Sequence, residues 1–364
     1  MPEPLKNMYN RQHLQDLAAR IKVVYQPFME AEFVDAIMDE TWESLELKAR
    51  GRQITLNLGK FLPQDYKTAI AVLDAVVETY GSWLDALVLY FPDFVEVFGQ
   101  DDAHWDISMA ALEKYTKHAS AEFAVRPFII NHEKRMMAQM LAWAKHENED
   151  VRRLASEGCR PALPWGQALT SFKKDPSPIM PILELLKNDP AMYVRKSVAN
   201  NLNDISKTHP DLVVKIAKEW YGKSEDVDWV VKHACRTLLK KANRDVLSIF
   251  GFGNSSDVDV TGVKIETPVV KMGEDLVFTF EISVAQDTKI RLEYGIDYMK
   301  ANGKQSRKVF QISEFVLPAG KVKKYEKSHS FANVSTRKHY PGAHAVALIV
   351  NGVPHDALGF DVEA

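Results

Sequence analysis

The residues best suited to chemistry in this chain are two carboxylates, a tryptophan and paired basic side chains. In Val151-Arg152-Arg153-Leu154-Ala155-Ser156-Glu157-Gly158-Cys159-Arg160-Pro161-Ala162-Leu163-Pro164-Trp165, two arginines head a helix and Glu157 stands near its end. A proline-stiffened loop then delivers Trp165. Gly158 reads as a left-handed helix cap, which puts Glu157 in the last turn, where the helix dipole disfavours a negative charge. Its presence there needs a reason other than helix stability. The pattern returns in Val194-Arg195-Lys196-Ser197-Val198-Ala199-Asn200-Asn201-Leu202-Asn203-Asp204. At about 100° per residue, Glu157 and Asp204 point within about 40° of each other on their helices. Stacked helices would show both acids on one surface. Fixed carboxylates facing one way can stabilise a developing cation.

These residues need a scaffold of stacked helices. Up to about residue 250, apolar residues recur at three- and four-residue steps, as in Leu14-Leu17-Ile21 and Phe33-Ile37-Trp42-Leu45. Prolines punctuate the pattern at Leu62-Pro63, Phe91-Pro92, Arg126-Pro127, Asp175-Pro176, Asp189-Pro190 and His209-Pro210. Aligning Val151-Arg152-Arg153 with Val194-Arg195-Lys196 and Val231-Lys232-His233 gives spacings of 43 and 37 residues, the range of HEAT and armadillo helix pairs. Helical periodicity stops near Gly251-Phe252-Gly253-Asn254-Ser255-Ser256, the expected linker. Beyond it, alternation takes over in Leu276-Phe278-Phe280-Ile282, Ile290-Leu292-Tyr294-Ile296 and Val346-Leu348-Val350, with hairpin signals at Asn302-Gly303 and Asn351-Gly352. The expected architecture is an all-α HEAT-like repeat solenoid over residues 1–253, then an all-β immunoglobulin-like sandwich over 254–364 that lacks the usual disulfide.

The chain has 364 residues, 46% of them apolar and 26% charged, with a net charge of −3, as in an ordinary soluble protein. No apolar run reaches membrane-spanning length, and Met1-Pro2-Glu3-Pro4 carries no basic-then-apolar signal, so the expected location is the cytoplasm. The two cysteines, Cys159 and Cys235, form neither a disulfide framework nor a metal-ligand spacing. No Gly-rich phosphate loop, zinc spacing or nucleophile elbow occurs, which argues against a kinase, a metalloenzyme and a serine hydrolase, and no cofactor or metal is expected. The slight net negative charge hides local basic regions. Residues 141–250 hold 18 Lys and Arg against 14 Asp and Glu, and residues 300–340 hold 10 against 2. Such regions can attract phosphates.

Each candidate has a plainer explanation beside the functional one. Arg152, Arg153, Arg195, Lys196 and Lys232 suit a phosphate-tracking ladder or the ion pairing that ties helical repeats together. Glu157 and Asp204 suit a cation-facing pair or partners for those same arginines. Trp165 suits a surface aromatic or an inter-repeat core residue, and Glu122, after Ser120, suits a catalytic support or favourable helix-start electrostatics. Lys304, Arg307, Lys308, Lys321, Lys323, Lys324, Arg337 and Lys338 suit a phosphate grip or protection of sheet edges against aggregation. A non-catalytic HEAT scaffold that binds a protein partner or DNA through its concave face is the competing functional class.

The chain resembles the AlkC branch of the AlkC/AlkD DNA glycosylases. The resemblance rests on Pro4-Leu5-Lys6-Asn7-Met8-Tyr9, Leu45-Glu46-Leu47-Lys48, Phe91-Pro92-Asp93-Phe94-Val95, Glu122-Phe123-Ala124-Val125-Arg126-Pro127-Phe128 and the Val151 and Val194 runs. Ala162 departs from it, standing where a basic residue is expected, and keeps open a catalytically decayed relative that only binds damaged DNA. The resemblance implies hydrolytic excision of cationic N-alkylated bases (3-methyladenine, 3-methylcytosine, 1-methyladenine) from duplex DNA, without flipping the base into a deep pocket. It also implies a monofunctional, monomeric enzyme whose catalytic set is Glu157, Trp165 and Asp204, supported by Glu122. Arg160 joins the DNA-contacting residues, and the Ig-like domain is expected to help encircle the duplex.

Overall fold

The computed structural model describes residues 4–80, 88–333 and 338–364. Among these the helical half contains α1 (Arg11–Val24), α2 (Glu30–Ile37), α3 (Leu47–Phe61), α4 (Tyr66–Val77), α5 (Tyr90–Phe98), α6 (Trp105–Tyr115), α7 (Val125–Asn131) and α8 (Glu133–Trp143). It continues through α9 (Glu149–Glu157), α10 (Thr170–Lys174), α11 (Met180–Leu186), α12 (Met192–Ile205), α13 (Pro210–Trp220), α14 (Glu225–Ala234), α15 (Arg236–Lys240) and α16 (Arg244–Ile249). Proline often marks a helix start here: Pro92 and Pro127 lie in the first turns of α5 and α7, where a missing N–H costs little. The chain divides into two compact units, residues 1–209 with 222–234, and residues 210–221 with 235–364.

In the first unit, α9, α12 and α14 form a packed series, with α12 in the middle. Asn148 caps α9 by accepting from the backbone N–H of Asp150 and Val151, and Ser224 Oγ accepts from the N–H of Val227 at the head of α14. Val227 therefore holds the place that Val151 and Val194 hold in their helices, three residues past the cap. The expected alignment through Val231 lies one turn late. Val227 and Val231 are both buried on the same face, so the apolar pattern alone could not fix the phase.

In the second unit, a three-stranded sheet runs in the order β1 (Val258–Ile265), β3 (Asp275–Val284), β6 (Val322–Ser330). A second sheet runs β2 (Val269–Lys271), β9 (Leu358–Glu363), β7 (Gly342–Val350), β4 (Thr288–Met299), β5 (Gln305–Leu317), with β8 (Val353–Pro354) paired to β7. The expected alternation is present: Leu276, Phe278, Phe280 and Ile282 are buried in one core with Ile290, Leu292, Tyr294 and Ile296 from the other sheet. Asn351 and Gly352 both take positive φ (47° and 82°) at a tight turn, as the Asn-Gly signal requires. This is the Ig-like sandwich. The stretch after α16 is not a loose tether. Phe252 is buried, and Gly253 both donates to Lys289 O and accepts from Asn351 Nδ2.

Candidate active site

The site is built from α9, the loop after it and α12. Glu157 and Asp204 are 6% and 4% exposed, and one guanidinium holds both. Arg160 Nη1 donates to Glu157 Oε1 at 2.6 Å, and its Nε donates to Asp204 Oδ2 at 2.9 Å. Ser197 Oγ donates to the second oxygen of Glu157 at 2.6 Å, and Lys207 Nζ to that of Asp204 at 2.8 Å. Arg153 lies 3.5 Å from Glu157, forms an ion pair with Glu122, and donates to Ser120 Oγ, which in turn donates to Glu122. Ser120 thus orients Glu122 in a turn ahead of α7 and does not cap a helix. Burial opposes the charge on Arg153 and on Arg160, but the facing carboxylates outweigh it and both pKa values are raised. Three carboxylates are therefore fixed in direction by three cations, Arg153, Arg160 and Lys207.

Gly158 follows Glu157 in right-handed helical conformation, with φ −63°, so the expected left-handed cap is not formed. The glycine serves close packing instead. A Cβ there would lie 2.6 Å from Val125 Cγ2 and 2.9 Å from Met140 Cε. What offsets the unfavourable dipole at Glu157 is the donor set around its carboxylate.

The loop carrying Trp165 is held from beneath by Arg126, which is 1% exposed. Its guanidinium donates to the carbonyls of Gly158 (2.9 Å), Arg160 (3.0 Å) and Gln167. Burial brings Arg126 down to about 10. Trp165 is 73% exposed and has φ 61°, a left-handed conformation unusual for a bulky residue. Its indole faces solvent, and it does not fill a core.

Some of the basic residues tie the fold together. Arg152 donates back to the carbonyls of His146 and Glu147 and forms a two-pronged pair with Asp189. Arg195 repeats the arrangement one helix on, donating to the carbonyls of Asp189 and Pro190 and pairing with Asp226. Both tie neighbouring members of the α9, α12, α14 series together. Lys196 and Lys232 are exposed, on α12 and α14. In the Ig-like domain Lys304, Lys308, Lys321, Lys323 and Lys338 are exposed, Arg307 is paired bidentately with Asp297, and Lys324 pairs with Glu281. Arg337 lies outside the described residues. Among the described residues no helix is long and apolar enough to cross a membrane.

Residues 101–245 match the family model described as DNA alkylation repair enzyme, and residues 259–364 match that of the C-terminal Ig-like domain of the uncharacterised protein YhaZ. The chain is 44% identical over 358 residues to the uncharacterized protein YhaZ of Bacillus subtilis (strain 168), covering 98% of this chain and 99% of that one. A solved structure of the Pseudomonas fluorescens alkylpurine DNA glycosylase AlkC, bound to DNA containing an abasic site analog, is 35% identical, with a TM-score of 0.95 over 100% of both chains. The chain belongs to the DNA alkylation repair enzyme family, on its AlkC branch. In this family member the sequence pattern marks Glu157, Asp204, Trp165 and Glu122 but not Ser197 or Arg126, and it places Arg160 among the DNA contacts. Arg160 is 7% exposed and faces the two acids. The available signal was its position three residues after Glu157, within reach of a side chain at the helix end.

Proposed function

We propose that this protein is a DNA glycosylase that excises cationic N-alkylated bases, among them 3-methylcytosine, 1-methyladenine and 3-methyladenine, from duplex DNA by hydrolysis of the N-glycosidic bond. The observation that carries the proposal is the Glu157–Arg160–Asp204 arrangement, with an exposed Trp165 on the loop that follows Arg160. The likeness to an alkylpurine glycosylase over the whole chain supports it.

A base already carrying a positive charge is a good leaving group. Its departure moves positive charge onto the sugar, giving oxocarbenium character at C1′. Carboxylates held by fixed donors need little reorganisation when that charge appears. A carboxylate oxygen can also accept a proton from the water that attacks C1′, leaving an abasic sugar and the free base. The exposed indole of Trp165 supplies a π-face to the cationic nucleotide. Neutral bases lack both the leaving-group advantage and the cation–π attraction, so selectivity for cationic lesions needs no deep pocket.

In this reading the catalytic set is Glu157, Asp204 and Trp165, with Glu122 acting through Arg153. Residues 1–253 carry the activity, and the Ig-like domain of 254–364 adds a phosphate grip through its exposed lysines. The protein works as a monomer on DNA without a cofactor. The decisive experiment is single-turnover base release from a duplex with one 3-methylcytosine, run in parallel with 3-methyladenine and undamaged DNA. Release from lesion duplexes that collapses in Asp204→Asn supports the proposal. No release from either lesion sinks it in favour of a DNA-binding scaffold.

A further inference from the structure

The loop that displays Trp165 is gripped from a second side, by a residue far away in the sequence. Lys48 sits in the first turn of α3, where the helix dipole disfavours a cation. Its Nζ donates to the backbone carbonyl of Trp165 at 2.9 Å and stands 4.2 Å from the centre of the Phe123 ring, next to Glu122. The neighbouring cation, Arg52, is held by Asp93 and Glu96 at 2.9 and 2.5 Å. Lys48, Arg52, Asp93, Glu96 and Phe123 line one cleft. Arg126 fixes the loop at Gly158, Arg160 and Gln167, on either side of its tip, whereas Lys48 binds the tip itself. The residue it binds is the one with the left-handed backbone and the exposed indole.

We propose that Lys48 is a positioning residue for Trp165: its ammonium, seated on Phe123, holds the Trp165 carbonyl and so keeps the indole preorganised toward a cationic nucleotide. This inference rests on the glycosylase reading for its catalytic consequence. The ammonium pointed at a carbonyl bonds to no nucleotide in this role. Lys48 therefore contributes to the excision step and little to holding undamaged DNA. A Lys48 that instead touched a phosphate would do the reverse, weakening all DNA binding and lowering its salt dependence.

The test uses the full-length protein with Lys48→Met and Lys48→Arg. Loss of one charge-assisted hydrogen bond is expected to lower the single-turnover rate on 3-methyladenine duplex by about tenfold in Lys48→Met, with partial recovery in Lys48→Arg. Affinity for undamaged duplex and its salt slope should not change. In a Trp165→Ala background, Lys48→Met should cost nothing more. An undiminished cost in that background, or weakened binding with a shallower salt slope, overturns the inference. Fluorine NMR of fluorotryptophan-labelled protein gives a reading independent of activity. The Trp165 resonance, assigned with Trp165→Phe, should shift or broaden in Lys48→Met, and an unmoved resonance overturns the inference. If the intact protein releases no base, the glycosylase reading fails and the resonance alone decides the role of Lys48.

Discussion

Glu157 and Asp204 close on the same guanidinium, Arg160 Nη1 reaching the first at 2.6 Å and Nε the second at 2.9 Å. Removing Arg160 takes away the counter-charge the two share, leaving Glu157 with Ser197 and Arg153 and Asp204 with Lys207. Arg160→Met is therefore expected to destabilise the fold by about 2–3 kcal/mol, the scale of a lost hydrogen bond to a buried charged group. Denaturant unfolding measures this directly. A loss under about 1 kcal/mol would mean that the carboxylates find other partners or take up protons.

The near-isosteric Glu157→Gln keeps the shape of the site and removes its charge. Single-turnover excision should fall by about a hundredfold or more, as when a preorganised electrostatic contact is lost. Circular dichroism should show a folded protein, and affinity for lesion-bearing duplex should persist. Retained excision would remove Glu157 from the catalytic set.

Arg152 and Lys196 test the division between structural cations and proposed DNA contacts. Arg152→Ala breaks the pair with Asp189 and the bonds to the carbonyls of His146 and Glu147, so thermal stability should drop. Lys196→Ala, at an exposed position, should leave the melting temperature in place and weaken DNA binding, with the log–log salt slope shallower by about 0.9. Fluorescence anisotropy across a salt series reads the second effect. An unchanged slope would take Lys196 off the DNA.

His13, hydrogen-bonded to Tyr90 and packed between Tyr9 and Tyr90, has its pKa lowered from 6.5, mainly by burial, with Asp16 opposing. The folded state thus prefers the neutral ring. Its stabilising contribution is complete above the unfolded value of 6.5 and is lost as pH falls through the lower folded value. Melting temperature should decline on acidification below 6.5, and His13→Asn should flatten that part of the profile. An identical acid slope in the variant would assign the decline to other groups.

The sequence carried the common direction of Glu157 and Asp204 because both lie on helices, where 100° per residue turns spacing into orientation. It carried the sandwich through the alternation of Leu276 to Ile282. It did not carry the phase of the third repeat, because valines four apart at 227 and 231 share a face. Arg160, beyond the helix end, has no such angular rule, and Ser197, Arg126 and Lys48 meet the site only through tertiary packing. Gly158 misled because a glycine after a helix signals both a left-handed turn and a close approach, and only the neighbours Val125 and Met140 tell them apart.

The two compact units are interleaved along the chain, which crosses from one to the other at 209/210, 221/222 and 234/235. A scissile point placed where helices give way to strands, after Gly253, would send α13, α15 and α16 away with the wrong fragment, and it would strip Asn351 of the Gly253 carbonyl that it binds. The genetic module and the foldable module are then different objects. A recombinant sandwich begun at residue 254 leaves part of its own unit behind, and swapping the β-rich half between relatives calls for a graft that begins among the helices.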